Sequence, residues 1–392
     1  MADPLNVALL GQKFMARAHS NAYLKVARFF NLPRQPVMHS ISGRDLIALA
    51  PFADRWGWQH YDTNWKQVIK NPEIDLVDIS TPTYLHCEQA LAAIAAGKHV
   101  ACEKPLAVSL KEARQMRNAA IRSKRSRTFV WYNYRRAPAA ALAYRLVSDG
   151  FLGKIYHIRA QYLQSWATPE EELTWRFQKR YSGAGAIGDQ GAQAIDLVRF
   201  ITGDEIVEVT GAFSEIFIND RALQPTAATK AAPPRRAPRG KVDVDDATVF
   251  TARTSKGAIG IFEASRVAVG HDNQIALEIS GEHGALRYYS DDMNAIHLYD
   301  LRQEKRTNGW RRVVSTLSGE HPYAGAWWPE GHLLGFEHTY VNTLADIAAS
   351  IGGEQPIVPL ADFADAYETQ RVVEAVMMSA KGRCAVKLTE VK

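Results

Sequence analysis

The sequence has few cysteines and lacks any long apolar run. Its three cysteines, Cys87, Cys102 and Cys384, are scattered over 392 residues, which argues against a disulfide framework or a zinc knuckle. No apolar stretch approaches the roughly 18 residues of a membrane span. Residues 1–5 lead directly into a strand-like run, without the basic and apolar regions of a signal peptide. We therefore expect a cytoplasmic protein with no metal site and no membrane partner.

A large excess of charge of one sign is also missing, because the net charge is only +5. Part of that charge lies in a Pro- and Ala-rich segment at about 219–242, where no acidic residue occurs between Arg221 and Lys241. The segment has no aromatic residue, whereas nucleic-acid-binding surfaces combine basic and aromatic side chains. We predict a solvated surface loop and no nucleic-acid partner. A role in attracting an anionic substrate is the alternative.

The length of the chain predicts two domains, because single cores stop growing near ~250–300 residues. In residues 1–132, strand-like and helical patterns alternate strictly. This alternation is typical of an α/β Rossmann domain with a doubly wound parallel sheet that binds a dinucleotide. The strand-like runs are residues 7–10, 37–40, 74–79, 99–102 and 128–132, and the helical patterns are residues 16–30, 46–55, 65–70, 84–96 and 109–123.

Residues 133–392 follow a different pattern, in which several segments alternate in period two. We predict an α+β domain for substrate binding and oligomerisation, with a large, mostly antiparallel open sheet. An uncovered sheet face would be a large exposed patch in a monomer, so we expect a homodimer or homotetramer through that face. The expected strands are residues 154–164, 206–218, 248–254, 258–266, 275–280 and 285–289, and the expected helices are residues 139–148, 191–202, 335–350 and 363–380.

The first strand–helix turn fits part of a dinucleotide-binding fingerprint. Gly11 and Ala16 occupy the first and last small positions of G-x-G-x-x-G/A, and Lys13 replaces the middle glycine. Because the motif follows a strand and opens a helix, we expect the helix N-terminus to hold the cofactor pyrophosphate. Lys13, Phe14 and Met15 are then expected beside it. An ordinary turn without a ligand is the alternative.

The residues after the second strand bear on the choice between NAD and NADP. An acid at this point binds the ribose 2′-hydroxyl of NAD, whereas an arginine accommodates the 2′-phosphate of NADP. Ser42 and Arg44 favour NADP or neither cofactor, whereas Asp45 keeps NAD possible, and Ser42, Gly43 and Arg44 are expected beside the cofactor. Arg44 can alternatively stack on the adenine. The expected cofactor is therefore NAD or NADP.

Lys104 stands where the strand at 99–102 ends, because Pro105 cannot continue a central ladder. Ligands bind at this edge of an open α/β sheet. A lysine held there can transfer a proton, since partial burial and a positive neighbour lower its pKa. A surface lysine in a loop is the alternative from these residues alone.

Two further segments carry candidate site residues. Thr81 and Pro82 follow the third predicted strand, where the cofactor is expected, and His86 either contacts the cofactor or packs and caps a helix. Downstream, a glycine-rich loop leads into a helix on which Asp189 and Gln193 are four residues apart and share a face. Such a pair can bind sugar hydroxyls, or Asp189 can simply favour a helix start.

Together these segments resemble the Gfo/Idh/MocA family of NAD(P)-dependent oxidoreductases, which act mostly on sugars and cyclitols. The similarity is to its inositol and levoglucosan dehydrogenase-like subgroup and covers nearly the whole chain. The motifs that carry it are Glu103-Lys104-Pro105, Ser80-Thr81-Pro82 with His86, Gly188-Asp189 through Asp196, Trp175-Arg176-Phe177, His321-Pro322-Tyr323 and Trp327-Trp328-Pro329-Glu330-Gly331-His332.

The resemblance implies hydride transfer between the nicotinamide and a carbinol carbon of the sugar. It implies that Lys104 orients or relays the proton and that Asp189 binds the neighbouring hydroxyl. Glu103, Trp175 and Arg176 are expected near the cofactor.

The chain departs from the family at Gln193, where the resemblance implies a histidine that acts as general acid and base. Glutamine cannot accept a proton at neutral pH, so Gln193 can position a hydroxyl but not deprotonate it. Lys104 acting alone is the favoured base. Tyr134, Tyr162 or His332 is the alternative, and a different chemistry or an inactive variant stays open.

Aromatic and planar polar residues are the expected substrate contacts, since they suit the C–H faces and hydroxyls of a sugar. They join Lys104, Asp189 and Gln193 in the predicted site and are Tyr134, Arg135, Gln164, Trp166 and His332.

The leading functional hypothesis is a dehydrogenase of a sugar, glycoside or cyclitol. One alternative is an NAD-dependent glycosidase that oxidises C3 transiently, eliminates the aglycone and returns the hydride. The other is a non-catalytic sensor that only binds the dinucleotide.

Overall fold

The computed structural model describes residues 3–224, 237–317 and 323–392. Its first sheet is parallel and six-stranded, in the order β3-β2-β1-β4-β5-β6, which confirms the doubly wound prediction. The strands are β1 Asp3–Leu10, β2 Arg34–Ser42, β3 His60–Asp62, β4 Leu76–Ile79, β5 His99–Cys102 and β6 Thr128–Val130. The helices are α1 Phe14–Phe29, α2 Leu46–Trp56, α3 Trp65–Lys70, α4 His86–Ala95 and α5 Leu110–Arg122.

Strand β3 was not predicted, because all three of its residues are exposed and it presents no apolar run. In the described part of the chain, no helix is both long enough and apolar enough to cross a membrane.

The second sheet has nine strands in the order β16-β15-β14-β13-β7-β12-β11-β8-β17, and only the β7–β12 pair is parallel. Its strands are β7 Ile155–Leu163, β8 Ile206–Glu215, β11 Ala247–Thr254, β12 Ile259–Ser265, β13 Gln274–Gly281, β14 Gly284–Tyr289, β15 Ala295–Asp300, β16 Arg311–Val314 and β17 Val386–Lys387. A separate hairpin pairs β9 Asp220–Ala222 with β10 Arg239–Lys241. The helices are α6 Pro138–Ser148, α7 Lys179–Ser182, α8 Ala192–Thr202, α9 Phe336–Ile351 and α10 Phe363–Gly382.

The two faces of the large sheet differ, as period-two alternation requires. Phe250 and Phe262 stack on the covered face, with ring centroids 4.8 Å apart, and lie in the core beneath helices α6, α8 and α10. The opposite face exposes Val249, Ile259 and Ile261. The prediction of an open sheet is therefore confirmed.

The prediction of one solvated loop at 219–242 was wrong for the described residues. Parts of the segment form β9 and β10, and Arg221 is fully buried. Its guanidinium donates to the carbonyls of Ala167, Thr168 and Glu171 and lies over the Phe177 ring. Nothing in the sequence around Arg221 indicated that its side chain would be buried and would bind the backbone carbonyls of a neighbouring loop. Residues 225–236 of the predicted loop lie outside the described residues, as do His321 and Pro322.

Helix α9 joins the two parts of the molecule. Tyr340, Val341 and Leu344 belong to the same buried cluster as residues of β1 and α1, so a helix from the end of the chain covers one face of the Rossmann sheet. The backbone N–H of Val130 in β6 also donates to the Ala361 carbonyl. The site described next lies where these two parts meet.

Candidate active site

The turn after β1 is shaped by a close approach of backbones. Gly11 has φ +130°, and a Cβ there would lie 2.3 Å from Ser80 Oγ, so only glycine fits. Its N–H donates to the Ser42 carbonyl at 2.8 Å, which draws together the ends of β1, β2 and β4. Lys13 is exposed at the start of α1 and makes no side-chain cap there. The open helix N-terminus therefore suits an anionic group.

Phe14 and Met15 begin α1 beside this turn. The Phe14 ring is exposed and stacks on Phe336 of α9, with centroids 6.4 Å apart, while Met15 is half-buried. The predicted cofactor residues of α1 thus line the junction between the two parts of the molecule.

The end of β2 offers an arginine rather than a free acid. Oδ1 of Asp45 accepts the N–H groups of Ile47 and Ala48 at 3.1 and 3.3 Å, so it caps α2. Ser42 is buried and Arg44 is exposed. The backbone approaches so closely here that a Cβ at Gly43 would lie 2.0 Å from the Gln12 side-chain oxygen.

His86 ties together two loops of the site. Its Nε2 lies 2.9 Å from the Thr81 carbonyl and its Nδ1 lies 3.1 Å from the Pro105 carbonyl. The ring is buried, and burial lowers its pKa. The geometry favours the packing alternative for His86, whereas Thr81 and Pro82 are half-buried at the cofactor edge.

An ion pair between Lys104 and Asp189 forms the centre of the site. Lys104 Nζ lies 2.7 Å from Asp189 Oδ1 and 3.0 Å from the Asp189 carbonyl. Burial alone would raise the pKa of Asp189, but Lys104 and Arg176 outweigh it and lower the value to about 2. Asp189 is therefore a carboxylate at neutral pH, and the pair joins the end of β5 to the second part of the molecule.

Two glycines bring Asp189 to this position. A Cβ at Gly183 would lie 2.0 Å from the Val108 carbonyl, and one at Gly185 would lie 1.8 Å from the Asp245 carbonyl. The Asp245 carboxylate accepts the N–H groups of Gly185 and Ile187 at 2.7 and 2.8 Å. The glycine-rich loop thus serves close packing, and Asp189 lies in the single π-helical turn, Ile187–Gly191, that leads into α8.

Next to the ion pair lies a network of neutral amide and phenol groups, hereafter the amide network, made of Tyr134, Tyr162, Gln164, Trp166, Gln190 and Asn273. Gln190 Nε2 donates to Gln164 Oε1 at 2.6 Å and to Asp189 Oδ2 at 3.3 Å. Gln164 Nε2 donates to Asn273 Oδ1 at 2.6 Å. The network therefore begins at the carboxylate of the ion pair.

The aromatic members complete the amide network. Trp166 Nε1 donates to Gln164 Oε1 at 2.9 Å, and Tyr162 OH donates to Asn273 Oδ1 at 2.7 Å. Asn273 Nδ2 donates to Tyr134 OH at 3.0 Å. Such a set offers paired donors and acceptors beside ring faces, which is what a polyhydroxylated ligand requires.

Sequence reasoning missed Gln190 and Asn273. Gln190 directly follows Asp189, which was the available signal, and its Oε1 is buried without a partner among the described residues. Asn273 lies in the loop before β13, far from any motif. Nothing in the sequence indicated that Asn273 meets Tyr134.

Gln193 is buried against another amide, with its Nε2 3.3 Å from Asn133 Oδ1. Of the groups considered as a replacement base, Tyr162 is disfavoured, because burial raises its pKa well above 10. His332 is exposed and its Nδ1 lies 2.8 Å from the Pro329 carbonyl within its own turn. No hydrogen bond in the described residues joins His332 to the amide network.

Arg135 was predicted as a substrate contact, and this interpretation was wrong. Its guanidinium is buried and binds the carboxylates of Asp196 and Asp365. The two acids hold the charge of Arg135 inside the protein, where an arginine needs such partners. Asp196, at the end of the Gly188-Asp189 motif, therefore belongs to a structural ion pair.

Trp175 and Arg176 lie at the rim of the site. The Arg176 guanidinium lies 4.5 Å from the centroid of the Trp175 ring, and Trp175 meets Tyr84, from the turn before α4, edge-on at 6.5 Å. Because Arg176 also lowers the pKa of Asp189, it adds positive potential beside the ion pair.

Comparisons with known proteins identify the family of this chain. Residues 5–132 match the oxidoreductase family model with an NAD-binding Rossmann fold, and residues 141–287 match the GFO/IDH/MocA C-terminal domain. Levoglucosan dehydrogenase from Pseudarthrobacter phenanthrenivorans is 36% identical over 381 residues, which are 96% of each chain.

Solved structures give the same result. An oxidoreductase domain protein from Kribbella flavida is 42% identical with a TM-score of 0.91, covering 99% of this chain and 100% of that one. A levoglucosan dehydrogenase in complex with NADH is 34% identical with a TM-score of 0.91, covering 98% and 99%. The chain therefore belongs to the Gfo/Idh/MocA family of oxidoreductases with an NAD-binding Rossmann domain.

Proposed function

We propose that the protein is a dehydrogenase of a neutral sugar, glycoside or cyclitol that uses NAD or NADP. The observation that carries the proposal is the Lys104–Asp189 ion pair, which directly adjoins the amide network. The similarity to levoglucosan dehydrogenase supports a carbohydrate substrate. The bond between Asp189 and Gln190 supports hydroxyl recognition next to the group that moves a proton.

The residues at the sheet edge fit a dinucleotide. The turn at Gly11 leaves no room for a side chain, and the open start of α1 offers N–H groups to a pyrophosphate. Lys13, Arg44 and Arg176 supply positive charge around that edge. When bound, the nicotinamide cofactor supplies the acceptor or donor of hydride.

The charges of the site residues determine the role that we propose for each of them. Asp189, as a carboxylate, accepts a hydrogen bond from a substrate hydroxyl. In oxidation, Lys104 Nζ first loses a proton to solvent and then takes up the hydroxyl proton, and in reduction it returns a proton to the substrate oxygen. Gln164, Gln190 and Gln193 position the remaining hydroxyls without titrating.

A panel of free sugars, anhydrosugars, cyclitols and aryl glycosides tests this function. Each compound is incubated with stoichiometric NAD or NADP, and reduced cofactor and released aglycone are followed in the same cuvette. Reduced cofactor that accumulates with turnover is the expected result. Aglycone released over many turnovers without net reduction would instead identify the redox-neutral glycosidase. Tight dinucleotide binding with no reaction on any compound would favour the sensor.

We further propose that copies of this chain associate through the open sheet face. Val249, Ile259 and Ile261 are exposed there although they are strongly apolar, and such a patch normally marks an interface. Sedimentation of the wild type and of Ile261→Glu tests this: we expect a dimer or tetramer and its dissociation in the variant. A monomeric wild type would contradict the proposal.

A further inference from the structure

A buried ionic cluster lies directly beneath the loop that carries Lys104. It consists of His19 on α1, Asp78 on β4 and Glu103 after β5, and all three side chains are at most 6% exposed. His19 Nδ1 lies 2.9 Å from Asp78 Oδ2, and His19 Nε2 lies 3.0 Å from Glu103 Oε1. None of the proposed chemical steps uses His19 or Asp78, so the cluster calls for a separate explanation.

The geometry requires a charged ring. Both nitrogens of His19 face carboxylate oxygens, and only the imidazolium can donate from both at once. Burial alone would lower the pKa of His19, but Asp78 and Glu103 raise it to about 9. The ring also lies against Trp131 and Tyr340, with centroids 4.3 and 5.4 Å away.

Each carboxylate oxygen of the cluster has a donor. Asp78 Oδ2 also accepts Tyr23 OH at 2.8 Å, and Asp78 Oδ1 accepts Trp131 Nε1 at 2.9 Å. The second oxygen of Glu103 accepts the backbone N–H of Lys104 at 3.1 Å. The neighbouring Cys102 thiol is neutral, because burial raises its pKa and the two carboxylates add to the effect.

Glu103 therefore connects the core of the Rossmann domain to the ion pair. One of its oxygens is held by a ring fixed on α1 and β4, and the other holds the backbone of the residue whose Nζ meets Asp189. A carboxylate with only one of these bonds could rotate away from Lys104. We propose that His19 is a positioning residue for Lys104: it holds Glu103 in the orientation in which the carboxylate caps the Lys104 amide.

This inference rests on the proposed function for its effect on turnover, but its structural part is testable without any substrate. The variant is His19→Gln, which keeps a side chain of similar length but has a single donor nitrogen, so it cannot replace two ring nitrogens that face different carboxylates. The matched control is Tyr23→Phe, which removes a donor from Asp78 in the same cluster and leaves the bond between His19 and Glu103 in place.

The first readout is the rate at which Lys104 is acetylated by a pulse of acetic anhydride, quantified by peptide mass spectrometry. The Lys104 side chain is partly accessible, and exposed Lys66 serves as an internal reference. We expect His19→Gln to raise the Lys104 rate about fivefold, the scale of one lost hydrogen bond, and Tyr23→Phe to change it less than about twofold. Equal rates in both variants would overturn the proposal.

The second readout is turnover on the best substrate of the panel. We expect kcat to fall about tenfold or more in His19→Gln, with KM for the cofactor little changed, and to stay within about twofold in Tyr23→Phe. Loss of kcat in both variants in proportion to their thermal stability would show a merely structural cluster. A wild type without activity defeats the proposed function but leaves the acetylation result decisive.

If His19→Gln does not fold, Glu103→Ala takes its place. Alanine has no carboxylate, so the bonds to the His19 ring and to the Lys104 N–H are both lost. The same rise in Lys104 acetylation is expected, and an unchanged rate would overturn the proposal.

Discussion

The candidate site has two halves that differ in kind. The half at the Rossmann edge is ionic and links His19, Glu103, Lys104 and Asp189, whereas the other half is the neutral amide network. In the ionic half, neighbouring charges set the protonation states of His19 and Asp189. In the amide network, donors and acceptors are set by how the side chains are rotated.

The contrast separates two tasks, proton transfer and recognition of the substrate hydroxyls, which one residue can also perform together. Proton transfer needs a group whose charge changes, and a buried charge needs fixed partners. Recognition of hydroxyls needs many donors and acceptors whose charge does not change. In the proposed mechanism, with Gln193 in place of a titrating side chain, the two tasks fall on different parts of the molecule.

The largest effect is expected from Lys104→Met, which keeps the length of the side chain but removes the ammonium. If the ionic half carries the proton chemistry, kcat should fall about 10³-fold, since acid–base catalysis contributes about 10²–10⁴-fold. Reduced cofactor is followed at saturating substrate, and dinucleotide affinity from a fluorescence titration should hold within about threefold. The control is Lys66→Met, which removes an exposed ion pair with Glu88. A near wild-type kcat in Lys104→Met would refute the assignment of Lys104 as the group that transfers the proton.

The ionic half should also make stability depend on pH. Because the pKa of His19 is about 9 in the folded protein and about 6.5 in an unfolded chain, its stabilisation is complete below about pH 6.5 and is lost as the pH rises through about 9. We expect the free energy of unfolding to fall over this range by up to about 3 kcal/mol more in the wild type than in His19→Gln. Urea titrations at each pH measure this, and parallel curves would refute it.

A smaller effect is expected in the amide network. Asn273→Ala removes the acceptor shared by Gln164 and Tyr162 and the donor to Tyr134. We expect KM for the sugar to rise about tenfold with kcat changed less, because such bonds contribute about 1 kcal/mol each and orient the substrate. Gln303→Ala, at an exposed amide, is the control. A fall in kcat without a change in KM would contradict the assignment of substrate binding to the amide network.

The smallest effect on rate is expected from Gln193→His, which places a titrating group where the Gln193 amide now binds Asn133. We expect kcat to stay within about fivefold, because Lys104 already moves the proton in the proposed mechanism. The pH profile should nevertheless gain a limb near the histidine pKa of about 6.5. Profiles of kcat and kcat/KM for both proteins measure this. A large gain in kcat would mean that Lys104 is not an adequate base.

Much of the ionic half was predictable from the sequence, and much of the amide network was not. Lys104 was found because Pro105 marks a strand end, and Asp189 because it follows a glycine-rich loop. These signals are local. The pairing of Asn273 with Tyr134 joins residues 139 positions apart, and no local pattern encodes it.

The two wrong predictions, for Arg135 and for the loop that contains Arg221, share a physical cause. Arg135 was predicted to contact the substrate and Arg221 to lie in a solvated loop, yet both are buried, one between two carboxylates and the other among three carbonyls. A charge is buried only when its partners arrive from elsewhere in the fold, so its burial is invisible until the fold is known. The apolar periodicities, in contrast, predicted both sheets.

The docking of α9 on the Rossmann sheet has a consequence for biosynthesis. The apolar cluster built on β1 and α1 is completed by Tyr340, Val341 and Leu344, which leave the ribosome roughly 200 residues after β6. At about 5–20 residues per second, the nascent N-terminal domain waits on the order of 10–40 s with that face uncovered. The domain that is translated first therefore completes its apolar core only when the end of the chain has been synthesised.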